Sequence, residues 1–442
     1  MIDPYSRRDF LAWSASAAAA SALAGTAASR AANAGPNERI GLGLIGCGGI
    51  MNVHAAGLVA RQSPVTFVGL CDVDPAQVDR IAGPIEGFQS AAPRRTSRYE
   101  ELLEDPAVDA VIIATPHHWH APITLAAIAA GKDVYVEKPI SHVLHEGRLI
   151  RDAARAQRRV VQHGSQMRSS PVTALAGQLL DQGVLGDVRV TKAWNVQSRG
   201  TRDVVADSDS PQGVDYDRWL GPAPVRPFNV NRFHGNWRVY RDYGNGDIGD
   251  DGIHDIDMAA WGLRVTTHPV QVTAHGSTLL LRGDREYPDN MNVSYQYADG
   301  KVLIYEDRLF TPYGLHGFDS GNAFYGTEGY MIFSRRGYFQ VYLGPKEEKG
   351  PGVPPEVRRD AGRGYAQHME NFLECVRSRE QTNCPPEVAH LSCSLVHLGE
   401  IAYRTRTVVQ FDPDSEAITN NDEAHALLTK NYRAPYGLPS MT

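Results

Sequence analysis

Three residues in this chain have the type and the setting for moving a proton: Lys138, Asp250 and His254. Lys138 stands in Glu137-Lys138-Pro139, directly after the short apolar run Val134–Val136. A lysine desolvated at a strand end beside a reacting group is suited to proton transfer. A lysine in a surface turn is the commoner reading of any single one. Asp250 and His254 are four apart in the densest polar cluster of the chain, Gly244 to Asp257. On one helix face the carboxylate would orient the imidazole and stabilise its protonated form. Asp247, Asp250 and Asp251 would equally suit a helix N-terminus. The residues alone leave those two readings level.

A second set of residues has the spacing of a nucleotide site. Gly46-Cys47-Gly48-Gly49-Ile50-Met51 follows the apolar run Ile40–Ile45 and precedes a helical pattern. Gly46 would allow the tight turn, and Gly48 would let the backbone approach a pyrophosphate at the helix N-terminus. Met51 holds the third fingerprint position, where glycine or alanine is usual. Asp72 closes the second run, Val65–Cys71, where a ribose-binding carboxylate belongs. It would accept from a 2′-hydroxyl and repel a 2′-phosphate, so NAD is expected. NADP stays as the alternative while Arg94 and Arg95 are near, and Asp72 and Asp74 could instead cap the turn before Pro75. After the fourth run comes Thr115-Pro116-His117-His118-Trp119-His120. Three close histidines invite a metal reading, yet no carboxylate partner or Glu-x-x-His helix accompanies them. Thr115, Pro116, His117, His120, Glu137 and Lys138 read better as a polar cofactor rim, and no metal is expected.

The elements that must position these residues follow from apolar periodicity. Ile40–Ile45, Val65–Cys71, Ala110–Ala114, Val134–Val136 and Val160–Gln162 are runs without alternation, as in strands buried on both faces of a parallel sheet. Helical patterns lie between them: His54–Arg61, Pro75–Gly83, Tyr99–Asp105, Ala121–Ala130 and His145–Gln157. Such alternation predicts βαβ units and a doubly wound sheet over residues 35–165. After Arg168 the pattern changes. A helix capped by Ser170 and opened by Pro171 is followed by longer alternating strands at Asp187–Asn195, Val270–Leu281, Met291–Tyr297, Val302–Leu309 and Ala323–Phe333. Asp299-Gly300 signals a hairpin, and helices are expected at Ile253–Leu263, Tyr365–Arg377 and Val388–Thr405. Residues 166–442 therefore read as an α+β domain with a large, mostly antiparallel open sheet, whose free face suits a homo-oligomer.

Composition sets the outer limits. The 442 residues carry 44 Lys+Arg against 51 Asp+Glu, a formal charge of −7, with 42% hydrophobic residues. That balance excludes a disordered chain and argues against a nucleic-acid partner, which would need a basic stripe. Five scattered cysteines, with no Cys-x-x-Cys, encode neither a disulfide framework nor a zinc site. They suit buried thiols. Ser6-Arg7-Arg8-Asp9-Phe10-Leu11, a weakly apolar Ala/Ser stretch and Ala32-Asn33-Ala34 together read as a twin-arginine export signal over residues 1–34. The stretch is too weakly apolar to hold ~20 residues in a bilayer, so no stable membrane insertion is expected after its removal. A periplasmic protein beginning near Gly35 is expected.

The runs Asp109–Pro116 and Gly131–Pro139, with Glu137-Lys138-Pro139 at a strand end, closely resemble the Gfo/Idh/MocA oxidoreductases. The Asp250-x-x-x-His254 pair is similar to that family's second catalytic motif. Trp219–Pro222, Arg232–His234 and Tyr432–Pro435 are similar to its exported, twin-arginine-signal members. The resemblance implies an N-terminal Rossmann domain that binds NAD and a C-terminal domain that binds substrate. It makes His254 the proton acceptor for a sugar hydroxyl, with Lys138 and Asp250 hydrogen-bonding substrate. A one-residue shift to Asp251 stays open. The implied activity is oxidation of a ring hydroxyl of a sugar, glycoside or cyclitol, with a small carbohydrate as the partner molecule. A periplasm holds little free NAD, so the cofactor is expected to be tightly bound. An NAD-dependent glycosidase, working by oxidation, elimination, hydration and reduction, would use the same residues; a non-catalytic sugar-binding protein is the weaker alternative. Arg168, Arg232, His234, Trp237 and Tyr325 are the further residues expected to contact substrate.

Overall fold

A computed structural model describes residues 39–360 and 364–439; the expected export signal over residues 1–34 lies outside them. The first half alternates strand and helix. The strands are β1 (Ile40–Ile45), β2 (Val65–Cys71), β3 (Arg94–Thr96), β4 (Ala110–Ile113), β5 (Asp133–Val136) and β6 (Val161–His163). The helices are α1 (Gly49–Ala60), α2 (Pro75–Phe88), α3 (Tyr99–Leu103), α4 (His117–Ala129) and α5 (Leu144–Gln157). The strands form one sheet in the order β3-β2-β1-β4-β5-β6, and every pairing is parallel. All six residues of β1 are buried, as a strand covered by helices on both faces requires. The strand order reverses between β1 and β4, and beyond the carboxyl ends at such a switch point ligands bind.

The second half begins with α6 (Pro171–Asp181) and builds β7 (Val190–Asn195), α7 (Tyr216–Leu220), α8 (Gly246–Asp250) and α9 (Gly252–Leu263). Then come β8 (Gln271–Ser277), β9 (Asn290–Gln296), β10 (Val302–Arg308), β11 (Ser320–Tyr325), β12 (Gly329–Ser334), β13 (Tyr338–Leu343) and β14 (Glu348–Gly352). The chain ends with α10 (Pro355–Asp360), α11 (Tyr365–Ser378), α12 (Pro386–Thr405), β15 (Val409–Asp412), β16 (Ala417–Ile418) and α13 (Asp422–Ala426). Ten strands make one sheet, β14-β13-β12-β11-β7-β10-β9-β8-β15-β16, in which only β7 and β10 run parallel. Gly300, at φ +84°, turns the β9–β10 hairpin.

Four sequence expectations change. The segment Ala323–Phe333 is two antiparallel strands, β11 and β12, reversed through Gly326-Thr327-Glu328. The first helix starts at Gly49, so the glycine turn feeds straight into it. Helix α4 starts at His117, which puts the three histidines in its first turn rather than in a strand-end loop. The helix expected at Ile253–Leu263 forms as α9, but it starts at Gly252, so Asp250 ends the separate helix α8 and does not share a helix face with His254.

Alternation along the second sheet gives it two unlike faces. Phe324 packs on Trp261 of α9, while its neighbour Tyr325 points the other way, beside Tyr330, which stacks on Tyr342. A separate aromatic cluster of Trp219, Phe228, Phe233, Trp237, Tyr240 and Tyr243 anchors the long segment 216–243. Helix α11 returns to the first half: Met369, Phe372, Leu373 and Cys375 share a core with β1, β2, α1 and α2. All five cysteines are buried free thiols.

Candidate active site

The glycine turn is built for a phosphate. Gly46 has φ +82°, and a Cβ there would lie 2.8 Å from the Ala114 carbonyl carbon, so no other residue fits without displacing the backbone just beyond β4. Its N–H donates to the Cys71 carbonyl at 2.8 Å, tying the turn to β2. Gly48 is the N-cap of α1 with no side chain capping the helix, and a Cβ on Gly48 or Gly49 would meet nothing within 4 Å. Uncapped N–H groups at the positive end of a helix dipole, with open space in front, suit a pyrophosphate. Asp72 accepts from the Cys47 N–H at 2.7 Å and the Asp74 N–H at 2.9 Å. Burial pushes its carboxyl up to about 6, against the pull of those two donors. A groove of about 390 Å³ runs past Gly46, Gly48, Gly49, Ile50, Asp72, Thr115 and Pro116, and takes in Arg80 and His234. These residues fit an adenine dinucleotide. Met51 does not belong with them: it is fully buried in the core beneath α1, where its bulk replaces the small third fingerprint residue. Arg94 and Arg95 also stay outside, paired with Glu101, Asp79 and Glu86 on the surface.

The ends of β4 and β5 open onto a second, adjoining cleft of about 480 Å³. Ile50, Thr115, Trp237 and Arg238 wall both spaces. His117, His120, Glu137 and Lys138, expected on the cofactor rim, line this deeper cleft instead. The His117 ring lies 3.1 Å from Asn245 Oδ1 and edge-on to Trp237. The His120 ring sits between the carbonyls of Pro139 and Thr115, at 2.7 and 2.8 Å, and joins the two strand ends. Burial disfavours the Glu137 charge, but the hydrogen bond and charge of His54, at 2.8 Å, hold the carboxyl down at about 2. Glu137 thereby locks β5 to α1. Lys138 follows, joined to Pro139 by a cis peptide, and its Nζ donates to Asp250 Oδ1 at 2.7 Å.

The second domain supplies the opposite wall. Asp250 ends α8 and His254 lies in the first turn of α9, and both line the cleft. The expected Asp250–His254 hydrogen bond is absent among the described residues. Asp250 spends its oxygens on Lys138 and on Arg238 Nε, at 2.7 and 2.8 Å. Burial opposes its charge, yet Lys138 and Arg238 hold it well below the usual carboxylate range. Asp251 is engaged differently, with Arg199 at 2.6 Å and Arg335 at 3.2 Å. Burial, aided by the charges of Arg335 and Lys138, lowers His254 to about 3. The ring is neutral at neutral pH.

Of the other residues expected to touch substrate, only Trp237 lines the deeper cleft. His234 faces the nucleotide groove, 3.0 Å from Asp74. Arg168 is taken by a bidentate pair with buried Asp257, and Arg232 by Asp207 and the Pro227 carbonyl. Tyr325 lies on the far face of the second sheet. Sequence reasoning missed the arginines that crowd the cleft: Arg199, Arg202, Arg238, Arg282, Arg285 and Arg335. They come from four separated stretches of chain, so no local motif marks them. Away from the cleft, the buried side chains of His268, His390 and Glu416 have ligand atoms within 4.8 Å of one another. Arg151 already donates to Glu416 at 2.7 Å. That guanidinium supplies the positive charge there.

A parallel dinucleotide sheet joined to a large open sheet, with a lysine–aspartate–histidine cleft between them, defines an oxidoreductase architecture. The chain belongs to the Gfo/Idh/MocA oxidoreductase family. Residues 40–165 match the family's NAD-binding Rossmann fold, and residues 178–311 and 360–438 match its C-terminal alpha/beta domain. Residues 4–24 match a twin-arginine translocation signal. The chain is 25% identical to levoglucosan dehydrogenase of Pseudarthrobacter phenanthrenivorans over 381 residues, 75% of this chain and 87% of that one. It is 25% identical to scyllo-inositol 2-dehydrogenase (NAD(+)) of Bacillus subtilis, over 76% and 85% of the two chains. A solved levoglucosan dehydrogenase, in complex with NADH and levoglucosan, shares the fold at a TM-score of 0.65 and 21% identity, covering 84% of this chain and 99% of the other. The family and the groove together make NAD the cofactor of the first domain. Among the described residues no helix is long and apolar enough to cross a membrane.

Proposed function

We propose that this chain is an exported, periplasmic dehydrogenase that oxidises a secondary ring hydroxyl of a sugar, glycoside or cyclitol, with NAD held tightly between turnovers. Residues 35–165 hold the nucleotide and residues 166–442 complete the substrate site. One observation carries the reading: Lys138 and neutral His254 line a single cleft that adjoins the nucleotide groove through shared walls. Bound NAD supplies the hydride acceptor. His254 takes the hydroxyl proton on its ring nitrogen, in the neutral form its burial maintains. The Lys138 ammonium donates to the same oxygen, and Asp250, clamped by Arg238, fixes where that ammonium points. Trp237 packs edge-to-face on His117, with ring centres 4.6 Å apart, and the two give the cleft an aromatic wall. The relatives named for levoglucosan and inositol favour a ring alcohol over an open-chain one.

The tyrosine-lined far face of the second sheet supports pairing with a second copy of the chain. Tyr325 is 39% exposed there, in line with Tyr330 and Tyr342.

The test begins with denaturing the purified protein and identifying the nucleotide it releases. A panel of sugars and cyclitols is then followed by nicotinamide absorbance. Release of NAD or NADH, with reduction by one ring alcohol and recovery of its ketone, is expected. A protein that neither carries nor binds a nicotinamide nucleotide would sink the proposal.

A further inference from the structure

The cleft holds more positive charge than its own carboxylates use. Seven cationic side chains line it against five carboxylates, in a chain whose overall charge is −7. Four of the cations are spent: Lys138 and Arg238 on Asp250, Arg199 on Asp247 and Asp251, and Arg335 on Asp251. Arg202, Arg282 and Arg285 are not. Arg202 reaches only the Asn236 carbonyl, at 3.3 Å. Arg285 donates to the carbonyls of Tyr287 and Pro288, at 2.9 and 3.4 Å. Arg282 makes no side-chain hydrogen bond or ion pair among the described residues and stands exposed. The carboxylates of Asp247, Asp289 and Asp307 act on Arg285 through space without a bond, and Arg202 repels it. Asp289 is itself consumed by the backbone N–H groups of Leu279, Leu280 and Leu281.

The fold brings these like charges together on purpose-built backbone. The Arg202 N–H donates to the Arg282 carbonyl, which lays the two loops side by side. Between them Gly283 has φ +121°, and a Cβ on it would lie 2.2 Å from the Arg202 carbonyl oxygen. Only glycine lets the loops approach so closely. Asp284, between Arg282 and Arg285 on the same lining, accepts from the Tyr240 hydroxyl at 2.7 Å and makes no ion pair with any of the three arginines. Three guanidiniums on one wall, bonded to carbonyls or to nothing and ion-paired with no carboxylate, suit an oxyanion, which a guanidinium grips through paired N–H donors.

We propose that the substrate of this cleft carries an oxyanion, a carboxylate or a sulfate or phosphate ester on the sugar, bound by Arg202, Arg282 and Arg285 while the reacting hydroxyl meets Lys138 and His254. This rests on reading the cleft as the substrate site of a dehydrogenase. It narrows the substrate class from ring alcohols in general to anionic ones.

Calorimetry on the NADH-loaded protein tests it with matched probes: methyl glucoside, methyl glucuronide, glucose 6-sulfate and glucose 6-phosphate, with the galacto and manno forms of each. At least one anionic probe is expected to bind tenfold or more tightly than its neutral partner, and the carboxylate and ester arms show which oxyanion is preferred. Arg285→Gln, and separately the exposed Arg282→Gln, should lower affinity for that anion at least fivefold more than for the neutral sugar. Neutral probes bound as well as their anionic partners, anions bound by none, or variants that weaken both alike would overturn the proposal. The same probes offered to the NAD-loaded protein separate the two readings. Neutral sugars oxidised without anionic preference leave the dehydrogenase standing and remove the anion site. Anions bound with no probe reducing NAD do the reverse.

Discussion

Lys138 Nζ and Asp250 Oδ1 meet at 2.7 Å across the junction between the two halves of the molecule. The lysine comes from the end of β5 and the aspartate from the end of α8, and neither half presents a complete acid–base site alone. Arg238, on the segment that covers the cleft, holds the other oxygen of the same carboxylate.

Lys138→Met should depress turnover by roughly 10²–10⁴, the usual worth of a positioned acid–base group. Nucleotide affinity should change less than threefold, because Lys138 lies in the cleft and not in the groove. Steady-state rates and a fluorescence titration with NADH check the two halves. Full activity in the variant removes Lys138 from the mechanism.

His254 should be neutral well below the pH at which a free imidazole charges, since burial lowers it to about 3. In NMR spectra of protein carrying labelled histidine, the signal lost in His254→Asn identifies the ring. That signal is expected to keep its neutral position down to pH 5.5. Titration near 6.5 would contradict the buried setting.

Acid should unfold this protein early. Nine buried histidines are lowered by burial, with His118, His163, His268 and His397 at about 3. Below about 6.5 the unfolded chain binds protons that these folded rings refuse, so stability falls as pH drops. Asp72, Asp247, Asp255 and Asp307, raised by burial, act in the opposite sense, because their folded forms keep protons that the unfolded chain releases. They are fewer. The melting temperature is expected to fall by roughly 5–10 °C between pH 7 and pH 5. A flat or rising profile over that window refutes the assignment.

Arg168→Ala should act on stability. Its bidentate contact with Asp257, at 2.8 Å, neutralises a carboxylate that is 1% exposed, and Ser392 shares that carboxylate. Stranding such a charge costs about 3–5 kcal/mol. Denaturant unfolding should show that loss, with KM for substrate little changed in the protein that remains folded.

The parts legible in the sequence were those whose chemistry is local. The glycine turn, β1, Asp72 at the end of β2 and Glu137-Lys138-Pro139 are contiguous strings with a strand before them, and each string reports its own place. Asp250 and His254 were legible as a spacing, but their places on two separate helices were not, because a spacing of four does not say where the helix begins. The partner of Asp250 also differed, since Lys138 is 112 residues away and only tertiary packing brings it in. Arg168 and Arg232 looked like substrate ligands because an isolated arginine carries no sign of the carboxylate that will claim it. The three unclaimed arginines were invisible for the same reason: being without a partner is a property of the folded molecule.

Helix α11 has a bearing on the order in which this molecule can be finished. Its Met369, Phe372 and Leu373 fill the core under β1 and β2, which are the earliest described strands to leave the ribosome. Until some 370 residues have emerged, that layer has a missing plank and an oily surface facing water. The nucleotide domain is thus synthesised before the second domain and yet is completed only with it. A chain truncated before Tyr365 should be soluble only with help, however intact its glycine turn.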